Sequence, residues 1–263
     1  MNQVSSEPVE AGIAEAIASL RQEGFAAAIW GLFEALAAPD NLIVMAYRDS
    51  GPPLVLQQKA TNPRVFARLE TSYLAGAYRL DPYFDLHLRR AEDGAYRIRD
   101  IAPDAFQRSR YFIEYFAETT LIDEIAFVLT LTEGLSLNLC LGRDAGSGRA
   151  FSAADVARCE RLAPVVVALA KAHWRGLESA AGPVEDTPGL LIAAARKQGI
   201  ALSPRQALVA ILILRGHSTP SIGLRLGVSP QTVKVFRKQL YARCGISSQA
   251  ELFGLMLPLL QAG

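Results

Sequence analysis

The stretch that most constrains this chain runs from Gly227 to Leu240, and reads Gly-Val-Ser-Pro-Gln-Thr-Val-Lys-Val-Phe-Arg-Lys-Gln-Leu. Glycine accepts the positive φ that ends a helix, a serine two residues later can cap the next one, and proline at the first helical position loses no hydrogen bond. A tight turn followed by a helix from Pro230 is therefore expected. Within that helix Val233, Phe236 and Leu240 recur at helical spacing and are expected to face a core. Gln231, Lys234, Val235 and Lys238 form the opposite stripe, at i, i+3, i+4 and i+7. Lysines can meet guanine O6 and N7 or a phosphate, and valine can touch a thymine methyl, so the stripe suits a DNA major groove. Taken alone, the same stripe also reads as the solvated basic face of an ordinary surface helix.

The flanks decide between these readings. Leu202-Ser203-Pro204-Arg205-Gln206 starts a helix with a serine cap and proline at its first position, running to Gly216. Ser218-Thr219-Pro220 opens a short helix containing Ile222, Leu224 and Leu226, and Ser248-Gln249-Ala250-Glu251 is a capping box before Leu252, Leu255, Met256 and Leu259. With Gly216-His217-Ser218, Leu226-Gly227-Val228-Ser229, Thr232-Val233-Lys234 and Gly245-Ile246-Ser247-Ser248-Gln249-Ala250-Glu251-Leu252 in place, residues 202–257 resemble the LuxR-type helix-turn-helix domain. That resemblance implies a four-helix bacterial transcription-factor module acting on double-stranded DNA. It implies base contacts from Lys234, Val235 and Lys238, phosphate positioning by Ser229, Gln231, Thr232 and Arg237, and a homodimer reading two half-sites. RNA polymerase is a candidate further partner. The sequence departs from the family at Gln206, usually Glu, at Gly223, usually Ala, and at Phe236, where His is common. Losing the Glu removes a candidate ion pair, and Gly223 is expected to weaken its helix by about 1 kcal/mol relative to Ala.

Charge agrees with this placement. From Pro188 onward there are nine Lys or Arg against the single acid Glu251, whereas the rest of the chain carries eighteen against twenty-five. A basic carboxyl-terminal part is thus joined to an acidic one. No apolar run reaches membrane-spanning length and the amino terminus carries no signal-peptide pattern, so no membrane partner and a cytoplasmic location are expected. Cys140, Cys159 and Cys244, and His87, His173 and His217, are scattered, which argues against a disulfide framework and a metal site. No cofactor is expected.

The first 175 residues alternate helical and strand patterns. Val9–Ala38 predicts two helices or one kinked helix, broken near Gly24. Leu42–Tyr47 with Leu54–Gln58, and Asp123–Leu131 with Leu135–Leu141, predict two hairpins. Helices are expected over 63–78, 102–119 and from the Ser152 cap to about Trp174, with Arg97–Ile101 as a short strand or extended loop. The fold class is α+β: an α-β-α, PAS- or GAF-like sensor domain with an antiparallel sheet, followed by the all-α module. The expected boundaries are a ligand-sensing and dimerisation domain over 1–175, a linker over 176–188, and the DNA-binding domain over 189–263.

Tyr78-Arg79-Leu80-Asp81-Pro82 partly resembles the Asp-Pro signature of the autoinducer-binding domains found in this family, without the tryptophans that accompany it there. A carboxylate among aromatics suits the N–H or ammonium group of a small organic ligand. Asp81, Tyr73, Tyr78, Tyr111, Tyr115 and Phe127 form the candidate ligand set, with Asp123 and Glu124 as further polar handles. Asp81 reads equally well as a turn residue bonded to its own backbone. No Ser-His-Asp, Cys-His, paired-carboxylate or metal constellation supports an enzyme. The rival reading is a DNA-binding regulator whose amino-terminal part only dimerises and binds no ligand.

Overall fold

The computed structural model describes residues 7–177 and 184–261, with the backbone alone at 115–117. Its regular elements, in chain order, are α1 (Glu7–Ala18), α2 (Phe25–Ala37), β1 (Asn41–Arg48), β2 (Leu54–Ala60), α3 (Pro82–Leu88), β3 (Gly94–Arg97), α4 (Ile98–Ile101), β4 (Leu121–Thr132), β5 (Leu135–Asp144), α5 (Ala153–Trp174), α6 (Thr187–Lys197), α7 (Pro204–Leu214), α8 (Thr219–Leu226), α9 (Pro230–Cys244) and α10 (Gln249–Gln261). They fall into two compact units. One takes the described residues of Met1–Val65, His87–Asp100 and Thr120–Pro183; the other takes those of Phe66–Leu86, Ile101–Thr119 and Val184–Gly263.

The first unit is a five-stranded antiparallel sheet in the order β2-β1-β5-β4-β3. Alternation along the strands sends Leu42, Val44, Ala46, Phe127, Leu137 and Leu139 to one face, where Phe25, Ile29, Phe33 and Leu36 of α2 and Ala163, Val166 and Ala170 of α5 bury them. Gly12 lets α1 lie close on α2, since a Cβ there would stand 2.9 Å from Leu32 Cα. Asp123, fully buried, accepts from Nε and Nη2 of Arg97 and from the backbone N–H of Phe151, which ties β3, β4 and the approach to α5 together. It is therefore an internal clamp, its carboxylate engaged within the protein. Ser152 and Asp155 form the capping box that starts α5.

Two expected helices are broken. Over 63–78 the chain makes a 3₁₀ turn at Pro63–Phe66, a π turn at Leu69–Tyr73 and a 3₁₀ turn at Ala77–Leu80. Gly76, between the last two, lies so close to α10 that a Cβ would come within 2.7 Å of the Leu260 carbonyl oxygen. Over 102–119 the break is Ser109, which is extended (ψ 152°) and turns its hydroxyl back to accept the N–H of Phe112. The strand β3 stops at Arg97, and Ile98–Ile101 form a helical turn instead of continuing it.

The second unit carries the helical module. Ser203 and Gln206 cap α7 reciprocally, Ser203 Oγ accepting the Gln206 N–H and Gln206 Oε1 accepting that of Ser203, so the amide does the capping work of the expected glutamate. Gly223 is buried at the turn, where an added Cβ would stand 2.8 Å from the Val228 carbonyl oxygen. Its helix-propensity cost is thus offset by a close approach that alanine would disturb. Residues 178–183 of the expected linker lie outside the described residues, and its last two residues begin α6, a helix the sequence reading did not include. On α10, Leu252 and Leu259 are buried and Leu255 is half-buried.

Candidate functional site

The turn and its helix have the geometry their residues call for. Gly227 ends α8 at φ 64°, ψ 35°; Ser229 is extended and its Oγ accepts the Thr232 N–H at 3.1 Å; Pro230 is the first residue of α9. Val233 and Leu240 are buried, and Phe236 is half-buried. Gln231, Lys234, Val235 and Lys238 are all exposed, and Val235 is 45% exposed despite being aliphatic. These four side chains are brought together on the outer stripe. The hydroxyls of Ser229 and Thr232 are engaged with each other at 2.8 Å in the cap. Arg237 lies off the stripe, exposed, with its guanidinium 5.8 Å from the Tyr241 ring.

On that flank is a cavity of about 290 Å³, with Val233 and Ile222 among its apolar walls and Arg237, Arg108, Ser218 and Thr219 among its polar ones. His217 also lines it, with Nδ1 2.9 Å from Ser221 Oγ. Burial, with Arg225 and Arg215 adding repulsion, pushes this imidazole down to about 4, so it is neutral at pH 7.

The candidate ligand residues are brought together only in part. Asp81 is buried and accepts from Tyr73 Oη at 2.8 Å, from the Tyr83 N–H at 2.8 Å and, at the outer limit, from Tyr111 Oη at 3.5 Å. The Tyr83 bond is the local turn contact expected of Asp81, and the two tyrosine contacts are additional to it. Burial raises this carboxyl from its ordinary 3.8 to about 6 against the lowering effect of those three donors, none of which is a cation. Tyr78 instead reaches Glu185 Oε2 at 3.1 Å. Phe127 lies in the other unit, stacked on Phe33 with ring centres 5.5 Å apart, as part of the helix-facing core. The side chain of Tyr115 lies outside the described residues.

Two features escaped the sequence reading. Asn138, in the middle of β5, is fully buried with neither Oδ1 nor Nδ2 hydrogen-bonded, on the sheet face opposite the α2–α5 core. Such a group costs about 1–3 kcal/mol until a polar partner meets it. Its signal was one amide in the otherwise apolar-and-small alternation Leu135-Ser136-Leu137-Asn138-Leu139-Cys140-Leu141. The second is the Arg79 network: Arg79 pairs with Glu185 at 2.7 and 2.8 Å and donates to the Leu260 carbonyl at 2.7 Å, while Arg215 donates to the Arg79 carbonyl and to Asp85. No local spacing announces partners so far apart in the chain. Among the described residues no group of His, Cys, Asp and Glu could hold a metal, and no helix is long and apolar enough to cross a membrane. Burial pushes the Cys159 thiol up to about 12, which leaves it unreactive.

Comparison with known proteins adds to this geometry. Residues 201–256 match the family described as bacterial regulatory proteins, luxR family. The chain is 33% identical over 156 residues to an HTH-type transcriptional regulator in the exeN 3′ region of Aeromonas salmonicida, covering 56% of this chain and 78% of that protein. The LBD of VqsR from Pseudomonas aeruginosa superposes with a TM-score of 0.54 at 24% identity, over 64% of this chain and 98% of that one, so the two share a fold. Escherichia coli SdiA aligns over 95% of this chain and 98% of its own with a TM-score of 0.43 at 14% identity. The mixed helix and antiparallel-sheet domain followed by a helical module, expected from the sequence, is borne out.

Proposed function

Because the chain belongs to the luxR family of bacterial helix-turn-helix transcriptional regulators, we propose that it reads a specific DNA sequence through α9, as a homodimer, under the control of a small organic molecule. The observation that carries this reading is the exposed stripe of Gln231, Lys234, Val235 and Lys238 on a helix whose turn, cap and core are fully formed. Lys234, Val235 and Lys238 reach bases; Gln231 and Arg237 meet the backbone on either side. Ser229 and Thr232, whose hydroxyls hold the cap, fix the amino end of the helix against a phosphate. Each good base contact contributes about 1–3 kcal/mol of discrimination. Replacing Lys234 by alanine is therefore expected to reduce the preference for the operator over unrelated DNA by roughly tenfold or more, read by competition binding. An unchanged preference would remove the base-reading role.

The ligand part of the proposal rests on Asp81 with Tyr73 and Tyr111. A buried carboxylate held by neutral donors gains from a further N–H or ammonium donor, which suits a polar group on an otherwise apolar molecule. Asp81 is two residues from Arg79, whose side chain grips α10 and Glu185, two residues before α6. A ligand that repositions Asp81 thus acts on the ties of the DNA-binding module through one short segment. Native mass spectrometry of the protein purified from its own host is expected to give a dimer carrying a defined small mass. An empty dimer that still binds one DNA sequence tightly would support the reading in which the amino-terminal part only dimerises.

A further inference from the structure

We infer that the cavity beside α9 seats a backbone phosphate of bound DNA between Arg237 and Arg108, which makes Arg108 a DNA-contacting residue supplied from outside the helix-turn-helix. The inference rests on the DNA-reading role proposed for α9. An α-helix with its side chains is about 10–12 Å across and the major groove about 12 Å wide, so the sides of an inserted helix pass close to the phosphates. Successive helical residues are about 100° apart, which places Arg237 roughly a third of a turn from the centre of the Gln231, Lys234, Val235, Lys238 stripe, on one such side.

The other cationic wall comes from the segment Ile101–Thr119. Arg108 is exposed and lines the same cavity as Arg237, together with Ser218 and Thr219 at the start of α8. The backbone that carries it is fixed to the module at two points: the Ala105 N–H donates to the Gly216 carbonyl at 2.9 Å, and the Ser218 N–H donates to Asp104 Oδ1 at 2.9 Å. Gly216 permits this docking. It sits at φ 93°, and a Cβ there would stand 2.7 Å from Phe106 Cα. The Asp104 carboxylate is engaged by the Ser218 N–H, and Asp85 is a second acid whose charge reaches His217. Arg108 lies outside residues 201–256, so nothing in the match to the family assigns it a role.

The test uses the full chain, a duplex recovered by selection from random DNA, and an unrelated duplex, each titrated across a series of salt concentrations. Losing one phosphate contact lowers the slope of log affinity against log salt by about 0.9 for duplex DNA. Arg108→Gln is expected to show that loss, to weaken both duplexes by the same factor, and to see its deficit shrink roughly threefold between 50 and 200 mM salt. Arg237→Gln should do the same, and both variants should melt like the parent because the two side chains are exposed. If Arg108→Gln leaves slope and affinity unchanged, or tightens binding, while Lys234→Ala still reduces selectivity, the phosphate seat is wrong and the base-reading role stands. If Lys234→Ala also leaves selectivity intact, the reading on which the seat depends has failed.

Discussion

Replacing Glu185 by alanine is expected to remove about 3–5 kcal/mol of stability, because it strands a charge inside the protein. The side chains of Arg79 and Glu185 are only 7% and 5% exposed. Arg79 Nε and Nη2 both donate to the carboxylate, and Nη1 donates to the Leu260 carbonyl. With Glu185 gone, the guanidinium keeps a single neutral acceptor in a site that has already stripped its water. Tyr78 and Thr187, which also donate to Glu185, lose their partner at the same time. The converse change separates the worth of the pair from the penalty of breaking it. Substituting both residues by methionine removes charge and counter-charge together, and such replacements are often close to neutral. Urea unfolding of the two variants should therefore give the single substitution the larger loss. A double variant as unstable as the single one would mean that the packing of these side chains, not the buried charge, holds Phe66–Leu86 to α10.

Replacing Asp81 by asparagine is expected to stabilise the protein at pH 7 and to flatten its stability profile in mild acid. The carboxyl is raised from 3.8 to about 6, chiefly by burial. Between those values the folded chain holds a proton that the unfolded chain has released, so stability falls as pH rises from about 4 to about 6, by on the order of 3 kcal/mol in total. Above pH 6 the cost is fully present and this group adds no further change. Asparagine keeps an acceptor for the Tyr83 N–H and can offer its amide to the Tyr73 oxygen, so the turn and one tyrosine contact survive without the charge. The stability gap between variant and parent should be widest at pH 7 and close as pH falls to 4. Parallel profiles would show that Asp81 does not titrate in this range.

The carboxyl-terminal module was legible because its determinants are local. Gly227 at positive φ, the Ser229 cap, Pro230 at the first helical position, and the spacing of Val233 and Leu240 each act within a few residues, and they agree with one another. The two hairpins were legible for the same reason, through period-two alternation bounded by turn residues. The broken segments at 63–80 and 106–119 were not. Their aromatic and apolar residues recur densely enough to suggest helices, but the backbone is fixed by distant partners: Arg79 reaches a carbonyl 181 residues away, and Ala105 is held by Gly216. Helix α6 was hidden because Thr187-Pro188-Gly189 reads as the end of a linker, whereas the structure uses Pro188 within the first turn of a helix. Asn138 was missed because one polar residue in an apolar strand carries no spacing signal, and only three-dimensional burial shows that its amide is unpartnered. The ligand set divides along the same line. Tyr73 and Tyr111 meet Asp81, but sequence proximity to an Asp-Pro pair could not separate them from Tyr78, which turns to Glu185.

The central claim, that α9 reads DNA through its outer stripe, is tested most directly by selection from a random DNA pool, run in parallel with the full chain and its Lys234→Ala variant. The parent is expected to enrich a defined motif with two-fold symmetry, its half-sites about one helical turn apart. The variant should enrich a motif degenerate at one position in each half-site. Enrichment of the same motif by both proteins, or of none by the parent, would contradict the account.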